Sequence, residues 1–371
     1  LIHFAHSHQV RFVFSAAAIS EVVALTPDSS HLSELRADLL YELCGSNALV
    51  SFNRLVRAEV NALSRKSSQS INVIDPQGRW FPDIPIDEKS TYPFAAMVHE
   101  VAEEQMSLMG LSRQQRRAKH LSLIKNGSPR GALLSHLNQQ NRNVLLPELL
   151  KKYPMHPEDA EVMVLYVLGR ATEKDFTDAL TKSLTDPRWM MKWFTTQHGL
   201  SGPIADIVRK PGRELGQLMR SLADNSMRWA EEFRKKEITA NPTGKNGEIK
   251  RQWLAMEDQQ LIRITQSSAC ELGIVLGEYN AKDVEIFCPG IATGIRAMLS
   301  SVWANVGEGR KEDPSDSQPV DALHALYAPY VQVFRADRFM APHIQKQLIN
   351  SRTTVVPRLS LLVGTLEKLL H

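Results

Sequence analysis

Strand-like and helical signals alternate at both ends of this chain, while its long middle carries helical signals alone. That arrangement restricts the fold more than any other feature. Near the start, Arg11-Phe12-Val13-Phe14-Ser15 is a β-prone run. An alanine-rich stretch from Ala16 to Leu25 follows, with Ile19, Val22 and Val23 on its apolar face. Pro27-Asp28-Ser29-Ser30 is a turn, and Leu32, Leu35, Leu39, Leu40 and Leu43 then share one helical face. Ala48 to Phe52 reads as a strand and Arg54 to Ser64 as a helix. Pro76, Gly78, Pro82, Pro85 and Pro93 then interrupt regular structure. The region 94–276 is helical between breakers such as Pro129-Arg130-Gly131 and Lys210-Pro211-Gly212. Thr172-Glu173-Lys174-Asp175 resembles a capping box there, and Asp186-Pro187 opens another helix. Alternation returns after Pro289. A helix carries Ile291, Ile295, Met298, Leu299 and Val302, and another spans Pro319 to Tyr327. A strand over Tyr330 to Phe334, a strand over Thr353 to Val356 and a helix over Leu359 to Leu370 complete the pattern. The expectation is an α/β fold built from residues 1–66 and 284–371, split by a mostly α-helical insertion domain over 94–276.

A length of 371 residues suits two domains. The 44 Lys and Arg nearly balance the 41 Asp and Glu, leaving a formal charge of +3, so a nucleic-acid surface would have to come from local clusters. Such clusters lie in the middle region: Arg113, Arg116, Arg117, Lys119 and His120; Arg209, Lys210 and Arg213; Arg234, Lys235 and Lys236. Trp189, Trp193, Phe194, Trp229 and Phe233 are near some of them. Basic side chains there could follow a phosphate backbone and the aromatics could stack bases. A solvated helix face over a buried aromatic stripe is the simpler account. Cys44, Cys270 and Cys288 are odd in number and widely spaced, which gives no disulfide framework or zinc pattern and suits a reducing, cytoplasmic setting. No uninterrupted apolar run is long enough for a bilayer, and no leader pattern opens the chain.

Chemistry concentrates between Ser315 and Arg338. Asp321 falls in the first turn of a helix, where free N–H groups favour a carboxylate. His324 is one turn further on the same face. Asp337 lies just past the carboxyl end of a strand, the edge where parallel sheets collect ligands. Glu21 sits in the helix after the first strand and could face the same edge. Carboxylates converging from separate elements repel one another unless a hard cation lies between them, and Mg²⁺ or Mn²⁺ is the natural occupant. Such an ion can activate water for displacement at phosphorus. Each residue also has a plainer role open to it. Asp321 can be a helix-end carboxylate, Asp337 a turn residue, Glu21 a surface acid and His324 a hydrogen-bonded structural histidine.

The pattern Asp321-x-x-His324-x-x-Tyr327-x-Pro329-Tyr330, an apolar strand, then Asp337-Arg338, resembles the C-terminal half of PIN-like nuclease domains. Phe14-Ser15 through Ile19 and Glu21 is similar to that family's second strand and its acid. The resemblance covers roughly residues 10–60 and 285–370. It implies a parallel-sheet α/β/α sandwich and metal-dependent cleavage of RNA, or sometimes DNA. It implies Glu21, Asp321 and Asp337 as catalytic metal ligands for Mg²⁺ or Mn²⁺, Asp316 as a further ligand, and His324 and Arg338 in support. It also implies a strand bearing another Asp ahead of Arg11, and it sets Gln332 where many relatives carry Asp. An alternative is a catalytically inactive PIN-like nucleic-acid-binding or scaffold subunit of a larger complex. A helical adaptor with a supporting α/β part is a third. The helical insertion would position nucleic acid, bind a protein partner or restrain the nuclease.

Overall fold

A computed structural model describes residues 1–7, 9–22, 30–67, 70–81, 155–167, 171–196, 247–307, 318–348 and 351–370, with scattered residues between 112 and 129 and between 213 and 235. The chain divides into two compact units. One comprises Leu1–Val22, Leu39–Pro82 and Ala205–His371, and the other Val23–Asp38 and Asp83–Ile204. Residues 205–276, read with the insertion in the sequence, therefore group with the terminal segments.

The described residues of the first unit are mostly helical. Its amino-terminal part holds α1 (Ile2–His6), α2 (Ala16–Val22) and α4 (Phe52–Arg65), together with the end of α3 (Ser30–Cys44). In the second unit lie the short antiparallel pair β1 (Ile124–Lys125) and β2 (Ser128–Pro129), then α5 (Ala160–Val167), α6 (Glu173–Thr185) and α7 (Pro187–Thr196). The first unit resumes with α8 (Gly247–Glu271), α9 (Ala281–Phe287), α10 (Pro289–Gly307) and α11 (Gln318–Ala325). A 3₁₀ turn (Ala328–Tyr330), β3 (Val333–Arg335), α12 (Met340–Gln345), β4 (Thr354–Val356) and α13 (Leu359–Leu370) follow.

β3 and β4 pair in parallel, Phe334 opposite Val355, and the intervening α12 is the crossover that parallel pairing requires. A second small sheet forms from single bridges, Phe14 to Ala48 in parallel and Leu49 to Ile74 antiparallel. The strand expected over Arg11 to Ser15 is reduced to its bridge at Phe14. The one expected over Ala48 to Phe52 stops early because Phe52 already begins α4. The architecture is thus compatible with an α/β class, with helix far outweighing sheet.

α10 organises the core of this unit. Gly290 and Gly294 let the end of α11 come close: a Cβ on Gly290 would lie 2.4 Å from the carbonyl oxygen of Leu326, the residue after the helix, and one on Gly294 would lie 2.7 Å from a Leu326 methyl. Ile291 and Ala292 pack against Val60 and Leu63 of α4, while Met298, Leu299 and Val302 meet Trp253 of α8 and Ala322 of α11. Arg296 ties α10 to α8 and α9, pairing with Asp258 at 2.7 Å and Glu285 at 2.6 Å. In the second unit Met155, Met163, Leu180, Leu184, Met190 and Met191 are buried. The Thr172–Asp175 capping box opens α6 as its sequence indicates, and Asp186 caps α7.

Candidate functional site

Asp321 lies in the first turn of α11 and is half-buried. The 3₁₀ turn separates α11 from β3. His324 marks their contact: its ring meets Phe334 edge-on, with centroids 5.2 Å apart. Asp321 is one turn back along α11 from His324, and Asp337 lies just beyond the carboxyl end of β3.

The two carboxylates are not equivalent. Oδ1 of Asp337 accepts the Met340 N–H, and the Asp337 carbonyl accepts the Ala341 N–H at 3.0 Å. Asp337 is thus the residue that starts α12, as well as the residue at the strand end. Its Oδ2 receives no hydrogen bond from the described residues. Glu21 lies in α2, but its side chain falls outside the described residues, as does Asp316 altogether. Among the described residues, no three His, Cys, Asp or Glu side chains converge on a point that could hold a metal ion. Asp321 and Asp337 carry oxygen donors of the kind taken by Mg²⁺ or Mn²⁺, which binds through one or two carboxylates and fills its remaining positions with water.

His324 and Arg338 differ in setting. Burial pushes His324 down to about 4, and Arg335 adds to the shift, so the ring is neutral near pH 7. Arg338 is exposed. Tyr327 and Tyr330 serve the architecture. The Tyr327 hydroxyl donates to the Val50 carbonyl at 2.7 Å, which ties the 3₁₀ turn to the Phe14 sheet. The Tyr330 hydroxyl donates to Glu59.

Glu59 was not marked by any sequence motif, yet its carboxylate accepts three hydrogen bonds from distant parts of the chain. It has 0% exposure. It accepts the N–H groups of Gly290 at 2.6 Å and Ile291 at 2.8 Å, so a side chain of α4 caps the amino end of α10. Burial raises its pKa to about 7, against three hydrogen bonds that favour the ionised form. The only trace in the sequence is an acid among apolar positions of α4, between Ala58 and Val60.

His343 on α12 is also absent from the sequence reading. Its Nδ1 lies 3.0 Å from the Ser300 hydroxyl, and burial chiefly lowers its pKa, with Lys346 adding and Asp337 opposing. The three do not form a nucleophilic triad. Ser300 and Asp337 would have to address opposite ring nitrogens, and the Asp337 carboxylate is engaged at Met340. Cys44 and Cys288 are poor nucleophiles: burial raises Cys44 to about 12 and raises Cys288 as well.

The basic clusters of the middle region fall largely outside the described residues. Of the aromatics near them, Trp193 is buried, and Trp189 stacks on His156 with ring centroids 4.7 Å apart. Comparison of the chain with family models, curated proteins and solved structures finds no match. No described helix is long and apolar enough to cross a membrane.

Proposed function

We propose that the chain is a metal-dependent nuclease of PIN-like type, hydrolysing phosphodiester bonds with RNA as the favoured substrate. One observation carries the reading. Asp337 lies just past the carboxyl end of β3, a strand paired in parallel with β4, and a second acid, Asp321, stands in the first turn of α11. Ligands in parallel sheets gather at the carboxyl ends of the strands. Asp321 and Asp337, with Glu21 and Asp316 as further donors, would hold Mg²⁺ or Mn²⁺. When bound, such an ion supplies a nucleophilic water and offsets charge on the phosphate oxygens. The remaining groups set the stage: neutral His324 packs α11 against β3, and Met340 orients Asp337.

The test is cleavage of labelled single-stranded RNA and DNA with Mn²⁺, Mg²⁺ or EDTA, beside the Asp321→Asn/Asp337→Asn protein. Metal-dependent cutting that the double variant loses is the expected result. Cutting that survives in the variant would remove these residues from the chemistry. A second reading, an inactive nucleic-acid-binding or scaffold subunit, draws on the capping role of Asp337. It predicts intact folding with no cutting under any of these conditions.

A further inference from the structure

Two sheet edges border one cavity in the first unit. On one side, Phe14 donates its N–H to the Asn47 carbonyl at 3.2 Å and accepts the Leu49 N–H at 2.7 Å. Alternation along an extended chain then turns the Val13 main chain to the opposite side. On the other side, Ala336 donates to the Val356 carbonyl at 3.2 Å and Gln332 accepts from Thr354 at 2.9 Å. The main chains of Val333 and Arg335 therefore face away from β4. Among the described residues, no hydrogen bond reaches the main-chain N–H or C=O of Val13, Val333 or Arg335. All three residues line a cavity of about 440 Å³, walled also by Leu362 and Leu366 of α13.

We infer that this cavity is the seat of an inserted β-strand contributed by a separate polypeptide. The occupant is an extended, largely apolar segment with one acidic residue. Main-chain groups that lose water need partners, and a strand meets both edges at once. A compact apolar ligand would fill the volume and leave those groups unpaired. The charge of the lining selects the acid: Arg11 and Arg335 border the cavity, with no Asp or Glu among the lining residues. This inference stands apart from the nuclease reading, because it concerns main-chain pairing at a cavity that neither Asp321 nor Asp337 lines.

Amide hydrogen exchange on the 371-residue chain tests it. The probe is acetyl-Thr-Val-Val-Asp-Val-Val-Thr-amide, added free and also tethered ahead of Leu1 by a flexible linker. The tether starts beside the cavity, since Leu1 and Phe4 pack with Phe12, Val333, Leu362 and Leu366. It raises the effective concentration to about the millimolar range. The expected result is fast exchange at Val13, Val333 and Arg335 in the chain alone, slowed by about tenfold or more by the probe. A probe with two valines replaced by proline gives no slowing. Arg335→Glu weakens the slowing, and a probe with Lys in place of Asp restores it. Fast exchange that persists with both free and tethered probe overturns the inference. So does slow exchange in the chain alone, which would mean that its own residues fill the seat. Protection that grows with protein concentration as dimers form would assign the seat to a second copy and overturn the separate partner.

Discussion

At the scale of single residues, charge and geometry can be separated at Asp337. Its carboxylate both caps α12 and supplies the negative charge expected of a metal ligand. Asparagine keeps the cap, because its amide oxygen accepts the same Met340 N–H, while alanine loses both. Asp337→Asn should leave the melting temperature nearly unchanged and abolish metal-dependent cleavage. Asp337→Ala should cost about 1 kcal/mol of stability as well, read by denaturant unfolding. Glu59 has a different signature. Its pKa is about 7 in the folded state against 4.5 when free, so the folded chain holds the proton more tightly. Its stabilising contribution is complete below about 4.5. It declines as pH rises through the window up to about 7, where the unfolded chain ionises first, and is flat above. The span corresponds to roughly 3 kcal/mol. Urea unfolding between pH 4 and 8 should show that decline, and Glu59→Gln should remove it. The substitution itself destabilises at all pH values, since an amide –NH₂ would face the Ile291 N–H.

At the scale of elements, the helix starts follow side-chain caps. Asn280 accepts the Asp283 N–H at 3.1 Å while Asp283 returns a bond to the Asn280 N–H at 3.0 Å, a reciprocal box that opens α9. Asn280→Ala should lower stability by about 1 kcal/mol in denaturant unfolding, and Asn280→Ser should recover most of it. Caps and amphipathic spacing are local, which is why α13, α6 and the start of α7 were legible from the sequence. The strands were less so. Tyr330 to Phe334 reads as a strand from its β-branched and aromatic content. The Ala328–Tyr330 turn takes the first part because the Tyr330 hydroxyl is drawn to Glu59, about 270 residues away in the chain. Asp321 and Asp337 stood out because acids at a helix start and a strand end carry a local signal. Glu59 did not, because its partners at Gly290 and Ile291 are joined to it only by tertiary packing.

At the scale of the whole molecule, a formal charge of +3 on 371 residues supplies almost no general attraction for a polyanion. A nucleic acid would have to be held by a few clustered cations, and their number is measurable. For single strands the logarithm of the binding constant falls against the logarithm of salt with a slope of about 0.7 per phosphate neutralised. Filter binding of a single-stranded RNA between low and moderate salt should therefore give a straight line whose slope reports a small cluster. The Asp321→Asn/Asp337→Asn protein separates the three functional readings in the same experiment. With binding measured in EDTA, so that no ion bridges carboxylate and phosphate, removing two negative charges cannot weaken the attraction; for a nuclease the variant then binds RNA as tightly as the parent, or more tightly, with the same slope, and shows no cleavage when metal is added. For a nucleic-acid-binding scaffold, parent and variant bind alike and neither cuts. For a helical adaptor, neither binds RNA at any salt, and the slope is never seen. The decisive pairing is tight binding without cleavage in the variant beside metal-dependent cleavage in the parent. Only carboxylates that act on the phosphodiester, rather than hold the strand, produce that combination.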